Sequence, residues 1–105
     1  MELKQLQAGV GEHCRRYGEE YGVRMDEEFA VLKLGEEYGE FIQAYMIHKK
    51  MARPAKHKDE AESLQEAGKE LADVLGCTLY LAHLLNIDIE TELNKKWNRH
   101  LTNKT

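Results

Sequence analysis

Proline, cysteine and long apolar runs are scarce in this sequence. The chain has one proline, Pro54, whereas all-β chains of this size carry more turn-forming residues. The two cysteines, Cys14 and Cys77, form no disulfide framework. The longest stretch without Asp, Glu, Lys or Arg, Val74 to Ile87, is shorter than the roughly 20 apolar residues of a membrane-spanning helix. The start of the chain lacks the apolar segment of a signal peptide. We therefore expect a cytoplasmic, reduced protein that has no association with a membrane.

The length and the charge of the chain limit the number of its domains and the kinds of partner it can bind. A chain of 105 residues, 42% apolar and 32% charged, fits one globular domain over 1–105. The net charge of −4 argues against general nucleic-acid binding. The charges are segregated, however: 26–47 has six acids and one base, and 59–92 has nine acids and one base. The opposite holds for 48–58, with five Lys or Arg and no acid, and for 93–105, with four bases and no acid.

Apolar residues recur at three- and four-residue steps, which indicates an all-α protein. Asp26 and Asp88 stand where they can cap helices, and Asn86 is a plausible left-handed helix end. A four-helix, bundle-like fold follows, completed by oligomerisation because apolar surface remains to be buried. We predict helices at about 2–17, 27–50, 63–85 and 89–101, and a basic loop at about 51–62.

The third helix holds a carboxylate in an unusual place. Asp73 is the only acid or base between Leu71 and Leu85, in a helix so apolar that we expect it to be the central one. An ionised carboxylate there is costly unless it is paired or bound to a metal. Glu70 lies three residues earlier, on the same face.

The second helix carries a matching set of acids, Glu36, Glu37 and Glu40. Two pairs of carboxylates on facing helices would need cations to remain ionised, and oxygen ligands suit Mg²⁺, with Mn²⁺ as an alternative. No histidine follows an acid by three residues, which argues against a di-iron site. The simpler interpretations are a solvated acidic face, or a buried pair between Asp73 and a lysine.

These acids carry a resemblance to a known family. Glu36-Glu37-x-x-Glu40 followed by Glu70-x-x-Asp73 resembles the E-E-x-x-E…E-x-x-D signature of the MazG-like all-α nucleoside triphosphate pyrophosphohydrolases. The segment N-K-K-W-N-R, Asn94 to Arg99, resembles that family's N-x-K-aromatic-x-x-R segment less specifically. The likeness covers roughly residues 27 to 101.

The resemblance implies an enzyme that hydrolyses a nucleoside triphosphate to the monophosphate and pyrophosphate with Mg²⁺. The metal ligands would be Glu37, Glu40, Glu70 and Asp73, and Glu36 would help to hold a second metal or orient water. The phosphate contacts would come from the fourth helix, through Asn94, Lys96 and Arg99. A homodimer or homotetramer is implied, with residues acting in cis or in trans.

Several alternatives stay open. Lys33 to Glu37, KLGEE, resembles the K-x-G-E-E of phosphoribosyl-ATP pyrophosphohydrolases, which would share the chemistry. A helical adaptor or regulator with a degenerate site is the non-enzymatic alternative. The basic run 48–58 is a solvated loop or a lid over the phosphates, and the sequence names neither the base nor the sugar of a substrate.

Overall fold

The computed structural model describes residues 1–102, and within them the chain is helical without a β-strand. The expected all-α, four-helix, bundle-like fold is confirmed. The chain divides into two compact units, one made of Met1–Glu27 with the chain from Leu79 onward, and one made of Glu28–Thr78. The helices are α1 (Leu3–Tyr21), α2 (Glu27–His48), α3 (Glu60–Leu84) and α4 (Ile89–Thr102), with a 3₁₀ turn at Pro54–Lys56.

The helix ends follow local chemistry that the sequence displays. Asn86 adopts the left-handed conformation, with φ +58°, and the Ile87 amide donates to the Ala82 carbonyl at 2.9 Å, as in a Schellman motif. Asp88 caps α4, since its carboxylate accepts a hydrogen bond from the Thr91 amide at 3.3 Å. The predicted end of α3 and beginning of α4 are therefore confirmed to within one residue.

Helix α1 is longer than predicted. Gly18 was expected to begin a loop, but α1 continues to Tyr21 and Gly22 ends it, with φ +66°. A Cβ atom on Gly18 would lie 2.9 Å from the Val23 carbonyl. Gly18 is thus a helical residue at which the returning chain passes close to the helix backbone, and glycine permits that approach.

Helix α3 begins earlier than the predicted Ser63 or Glu66. Asp59 caps it, because its side-chain oxygen accepts from the Glu62 amide at 2.8 Å, and Glu60 and Glu62 occupy the first turn. Acids in the first turn are favourable near the positive end of the helix dipole. The spacing Asp59-x-x-Glu62 is a helix-start signature that could have located this end.

Gln7 ties α1 to the turn between α3 and α4 in the first unit. Its side chain is 9% exposed, and its Nε2 donates to the Ile87 carbonyl at 2.7 Å. The Ile89 amide donates to Gln7 Oε1 at 3.2 Å. One buried amide thus satisfies a carbonyl and an N–H that the turn leaves without helical partners.

The second unit is an antiparallel hairpin of α2 and α3. His48 Nδ1 and Ser63 Oγ are 2.8 Å apart where α2 ends and α3 begins. Ser63 is 2% exposed, and its hydroxyl donates to the Glu60 carbonyl at 3.1 Å. His48 and Ser63 are thus joined by a hydrogen bond at the loop end of the hairpin, where the connection leaves α2 and enters α3.

Helix α3, expected to be the central one, is buried at Leu79, Tyr80 and Ala82 but not around Asp73. Leu71 and Leu75 are 51% and 55% exposed, and Asp73 is exposed as well. The buried residues of α3 within the second unit are small, Ser63 and Ala67. The apolar sequence of α3 therefore supplies more surface than this chain covers.

Within residues 1–102, no single helix is long and apolar enough to cross a membrane. Helices α3 and α4 taken together, although bent at their junction, have the length and composition of a membrane span, as core helices of other proteins also do.

We expect Gln7→Ala to lower the free energy of unfolding by about 1–3 kcal/mol, because it leaves the part-buried Ile87 carbonyl and Ile89 N–H without their partner. Urea denaturation followed by circular dichroism measures this change. Gln65→Ala, on the exposed side of α3, is the matched control and should stay within about 0.5 kcal/mol of the parent. Equal effects of the two substitutions would contradict the bridging role of Gln7.

Candidate functional site

The second unit brings the acids of the two motifs into two groups that share Glu37. One group is Glu36, Glu37 and Glu40 on α2, and the other joins Glu37 to Glu70 and Asp73 on α3. Within each group, one carboxylate oxygen from every member lies within 4.8 Å of the others. Two acid groups that meet at one side chain can surround a pair of cations.

Helix geometry explains the convergence. Glu37 and Glu40 are three residues apart, as are Glu70 and Asp73, so each pair shares a helix face. The hairpin then places Glu37 opposite Glu70, in the face that α2 and α3 present to each other.

The carboxylate of Glu37 is the most constrained group of the site. Glu37 is 9% exposed, and its Oε2 atom is buried without a hydrogen-bond partner among the described residues. Glu70 Oε2 is in the same state. A buried carboxylate oxygen without a partner is unfavourable, so these two atoms leave coordination capacity that a cation would fill.

Lys33 supplies the positive charge that α2 itself places beside these acids. Its Nζ atom lies 2.5 Å from Glu36 Oε1 and 3.4 Å from Glu37 Oε1, the contacts expected at spacings of three and four residues. Burial raises the pKa of Glu37, and the Glu40 carboxylate raises it further, against the opposing effect of Lys33. The Glu36 carboxylate in turn raises the pKa of Lys33.

The structure corrects which acid is buried. The sequence singled out Asp73, yet Asp73, Glu36 and Glu40 are exposed, whereas Glu37 is buried and Glu70 is intermediate. The nearest apolar neighbours of Asp73 on α3 that are exposed, Leu71, Ala72 and Leu75, do not enclose it. Lys33 appeared in the sequence only within the KLGEE motif, and its spacing to Glu36 and Glu37 was the signal for its position.

The donor set fits a hard divalent cation. Every ligand candidate of the two groups is a carboxylate, and Mg²⁺ and Mn²⁺ prefer oxygen. Two of the oxygens, on Glu37 and Glu70, are buried without partners, which a solvated acidic face would not require. The observed arrangement also differs from a buried pair between Asp73 and a lysine, since Asp73 lies with two other acids.

The predicted phosphate-binding residues lie on α4, in the first unit. Asn94, Lys96 and Arg99 are all exposed, and their role remains a prediction. The basic loop of the second unit is held at its end, because Lys58 Nζ pairs with Glu66 Oε2 at 2.8 Å and Lys50 Nζ donates to the Lys58 carbonyl.

We expect Glu37→Gln to raise the melting temperature of the metal-free protein by a few degrees near neutral pH. The amide can donate to a neighbouring carboxylate, and it removes a buried negative charge beside Glu40. A carboxyl whose pKa is raised on folding stabilises the fold below its unfolded-state pKa, and that contribution is lost as the pH rises through the raised value. The advantage of the variant should therefore shrink towards acid pH.

Differential scanning calorimetry in the presence of a chelator measures this effect. Glu28→Gln, at an exposed acid in the first turn of α2, is the control and should give no increase, because it removes a charge that favours the helix dipole. A lower melting temperature of Glu37→Gln than of the parent at neutral pH would contradict the unfavourable burial of this carboxylate.

Comparisons with known proteins add no relative to this description. No family model, no curated protein and no solved structure matches the chain. The resemblance to the MazG-like enzymes is carried by the residues of the two acidic motifs, and what it implies for this chain is a proposal.

Proposed function

We propose that this protein is a Mg²⁺-dependent nucleoside triphosphate pyrophosphohydrolase. The observation that carries the proposal is the buried Glu37 carboxylate, which belongs to both acid groups and keeps one oxygen unpaired. Such an arrangement is unfavourable without a cation. The order and spacing of the acids, which resemble those of the MazG-like enzymes, supply the reaction.

In this proposal the chain's carboxylates divide the work. Glu37, Glu40, Glu70 and Asp73 hold the metal, with Mn²⁺ as a possible substitute for Mg²⁺. Glu36 orients the attacking water and accepts its proton. Lys33, already in contact with Glu36 and Glu37, can move to a phosphate oxygen when a cation takes its place at the acids.

The reaction is attack of a water molecule on the α-phosphorus of the triphosphate. The water oxygen forms a bond to the α-phosphorus while the bond between that phosphorus and the bridging oxygen breaks, which releases pyrophosphate and the monophosphate. Mg²⁺ held by the four carboxylates would neutralise part of the triphosphate charge, lower the pKa of the water and stabilise the leaving group. The carboxylates fix these groups on two rigid helices, so little reorganisation accompanies the reaction. Lys96 and Arg99 are proposed to bind phosphate oxygens, with Asn94 assisting.

The alternatives differ from this proposal in their observables. A phosphoribosyl-ATP pyrophosphohydrolase would use the same acids on a different nucleotide. A helical adaptor would hydrolyse no nucleotide and would show no rise in melting temperature with Mg²⁺. The two unpaired buried oxygens favour the enzyme, because an adaptor gains nothing from unpaired buried charge.

A panel of nucleoside and deoxynucleoside triphosphates, together with phosphoribosyl-ATP, assayed for pyrophosphate release with and without Mg²⁺, tests the function. We expect activity on at least one substrate, and we expect Glu37→Gln and Asp73→Asn to reduce kcat/KM by about 100-fold or more, since each removes a metal ligand. Both variants should keep the helical circular dichroism of the parent.

Glu28→Gln serves again as the matched control and should retain the parent activity, because Glu28 is exposed and belongs to neither acid group. Full activity of Glu37→Gln or Asp73→Asn would exclude this site. Absence of hydrolysis on the whole panel, together with a melting temperature that Mg²⁺ leaves unchanged, would support the adaptor.

The proposed phosphate contacts on α4 have their own test. Lys96→Gln and Arg99→Gln should raise KM about tenfold each with a smaller change in kcat, since a phosphate contact made equally in substrate and transition state affects binding. Lys95→Gln is the control: Lys95 is exposed on the same helix and lies 3.5 Å from Glu92. If all three variants have the KM of the parent, α4 does not bind the phosphates of the substrate.

A further inference from the structure

Helix α1 and the end of α3 leave a solvent-open cavity of about 480 Å³ between them, within the first unit. Its walls are α1, the chain that returns from α1 towards α2, and the last turns of α3. None of the acids proposed to hold a metal lines this cavity. Its volume falls in the range of roughly 300–1,000 Å³ that is usual for small-molecule sites, so it is a candidate site separate from the acid groups.

Two glycines of α1 set the spacing of the cavity walls. A Cβ atom on Gly11 would lie 2.6 Å from His83 Nε2, and a Cβ atom on Gly18 would lie 2.7 Å from Met25 Cγ. A larger residue at either point would push α1 away from the opposite wall. Seven residues separate the two glycines, which is about 10 Å along the helix, and this length gives room for one small molecule.

The inner wall of the cavity is apolar. Val23, Met25 and Leu84 are half-buried in it, and Tyr80 is 6% exposed. The Tyr80 hydroxyl donates to the Met25 carbonyl, so the polar end of that side chain is already used and its ring contributes apolar surface. These four side chains form an apolar wall against which a large apolar group of a ligand can be removed from water.

The rim of the cavity on α1 carries charges of both signs. It is formed by Glu12, Arg15 and Glu19. Arg15 donates to both carboxylate oxygens of Glu12, from Nη2 at 2.7 Å and from Nε at 3.0 Å, and its Nη1 donates to Glu19 Oε2. Two carboxylates thus hold the guanidinium in place before any ligand binds.

This network leaves hydrogen-bonding capacity for a ligand. A guanidinium has five N–H groups, and three are used, so one N–H remains on each of the Arg15 atoms Nη1 and Nη2. Glu19 Oε1 accepts no hydrogen bond from the residues that the structure describes. Adjacent positions on the rim can therefore receive a carboxylate and an ammonium group.

We infer that this cavity binds a free α-amino acid with a large apolar side chain. The α-carboxylate accepts hydrogen bonds from the two terminal nitrogens of Arg15, the α-ammonium donates to Glu19, and the side chain lies against the apolar wall. A ligand with only a negative charge would meet two carboxylates, and a ligand with only a positive charge would meet Arg15. A zwitterion places an opposite charge beside each rim group.

An NMR titration of the full, isotope-labelled chain tests the class of ligand. Phenylalanine, leucine and methionine should bind with Kd on the order of 1 mM, as expected for ligands of so few atoms, and should shift the amide signals of Gly11 and Gly18. Glycine and aspartate should not bind, because they leave the apolar wall uncovered. No shift with any apolar amino acid at roughly 10 mM would overturn the inference.

Derivatives of one amino acid test the need for both charges. N-acetylphenylalanine lacks the ammonium group and phenylalanine amide lacks the carboxylate, while both keep the side chain. Each should bind at least about tenfold more weakly than phenylalanine, because one charged hydrogen-bonding contact is lost. If either derivative binds as tightly as phenylalanine, the assignment to a zwitterion is wrong.

Charge-removing substitutions locate the site. Arg15→Gln and Glu19→Gln should each weaken phenylalanine binding about tenfold or more. Arg16→Gln and Glu20→Gln are the matched controls, since they change exposed neighbouring charges on α1 outside the cavity lining, and should keep Kd within about twofold of the parent. All four variants should keep the helical circular dichroism of the parent.

The two pairs of variants must differ. If the control substitutions weaken binding as much as Arg15→Gln and Glu19→Gln, or if none of the four weakens it, the amino acid does not bind at this rim and the inference is overturned. These measurements need neither metal nor nucleotide, so their outcome is independent of the proposed activity.

Discussion

The structure is organised around one unfavourable electrostatic arrangement. Glu37 is buried where α2 faces α3, with an unpaired oxygen and with acids from both helices beside it. Lys33 compensates part of that charge from one side. A sequence selected only for a stable hairpin would place a leucine or a glutamine at this position, because either removes the burial penalty. We propose that a cation offsets this charge, and every step of the proposed chemistry depends on the Glu37 carboxylate.

The acid groups and the exposed apolar side chains of α2 and α3, such as Tyr38 and Leu71, have a common structural origin. Each helix of the hairpin carries a stripe that meets the other helix, and the residues next to that stripe differ on its two sides. Turning one way from Glu37 or Glu70 leads to the large apolar side chains, and turning the other way leads to the exposed carboxylates. The hairpin is thus two-sided: one side exposes large apolar side chains, and the other exposes carboxylates.

The basic residues of the chain lie at different distances along the sequence from the acid groups, and their observed contacts differ. The loop after α2 is tied to α3 through Lys58 and Glu66, and Lys50 donates to the Lys58 carbonyl within it. The bases of α4 belong to the other unit. Lys33 was the least conspicuous cation in the sequence, yet it lies in contact with the acids, because helical spacing alone places it there.

Local sequence determined the helices, their caps and the faces on which the acids lie. Asn86, Asp88 and Asp59 end or begin helices through hydrogen bonds that reach a few residues along the chain, so their effects can be derived without the fold. Spacing likewise fixed which acids share a face. Tertiary structure decided that Glu37 is enclosed and Asp73 is exposed, and that Leu71 and Leu75 remain uncovered. Periodicity gives the angle of a side chain around its own helix, but it does not decide which face of α2 meets α3. That choice depends on contacts such as His48 with Ser63, between residues that the sequence pattern does not relate.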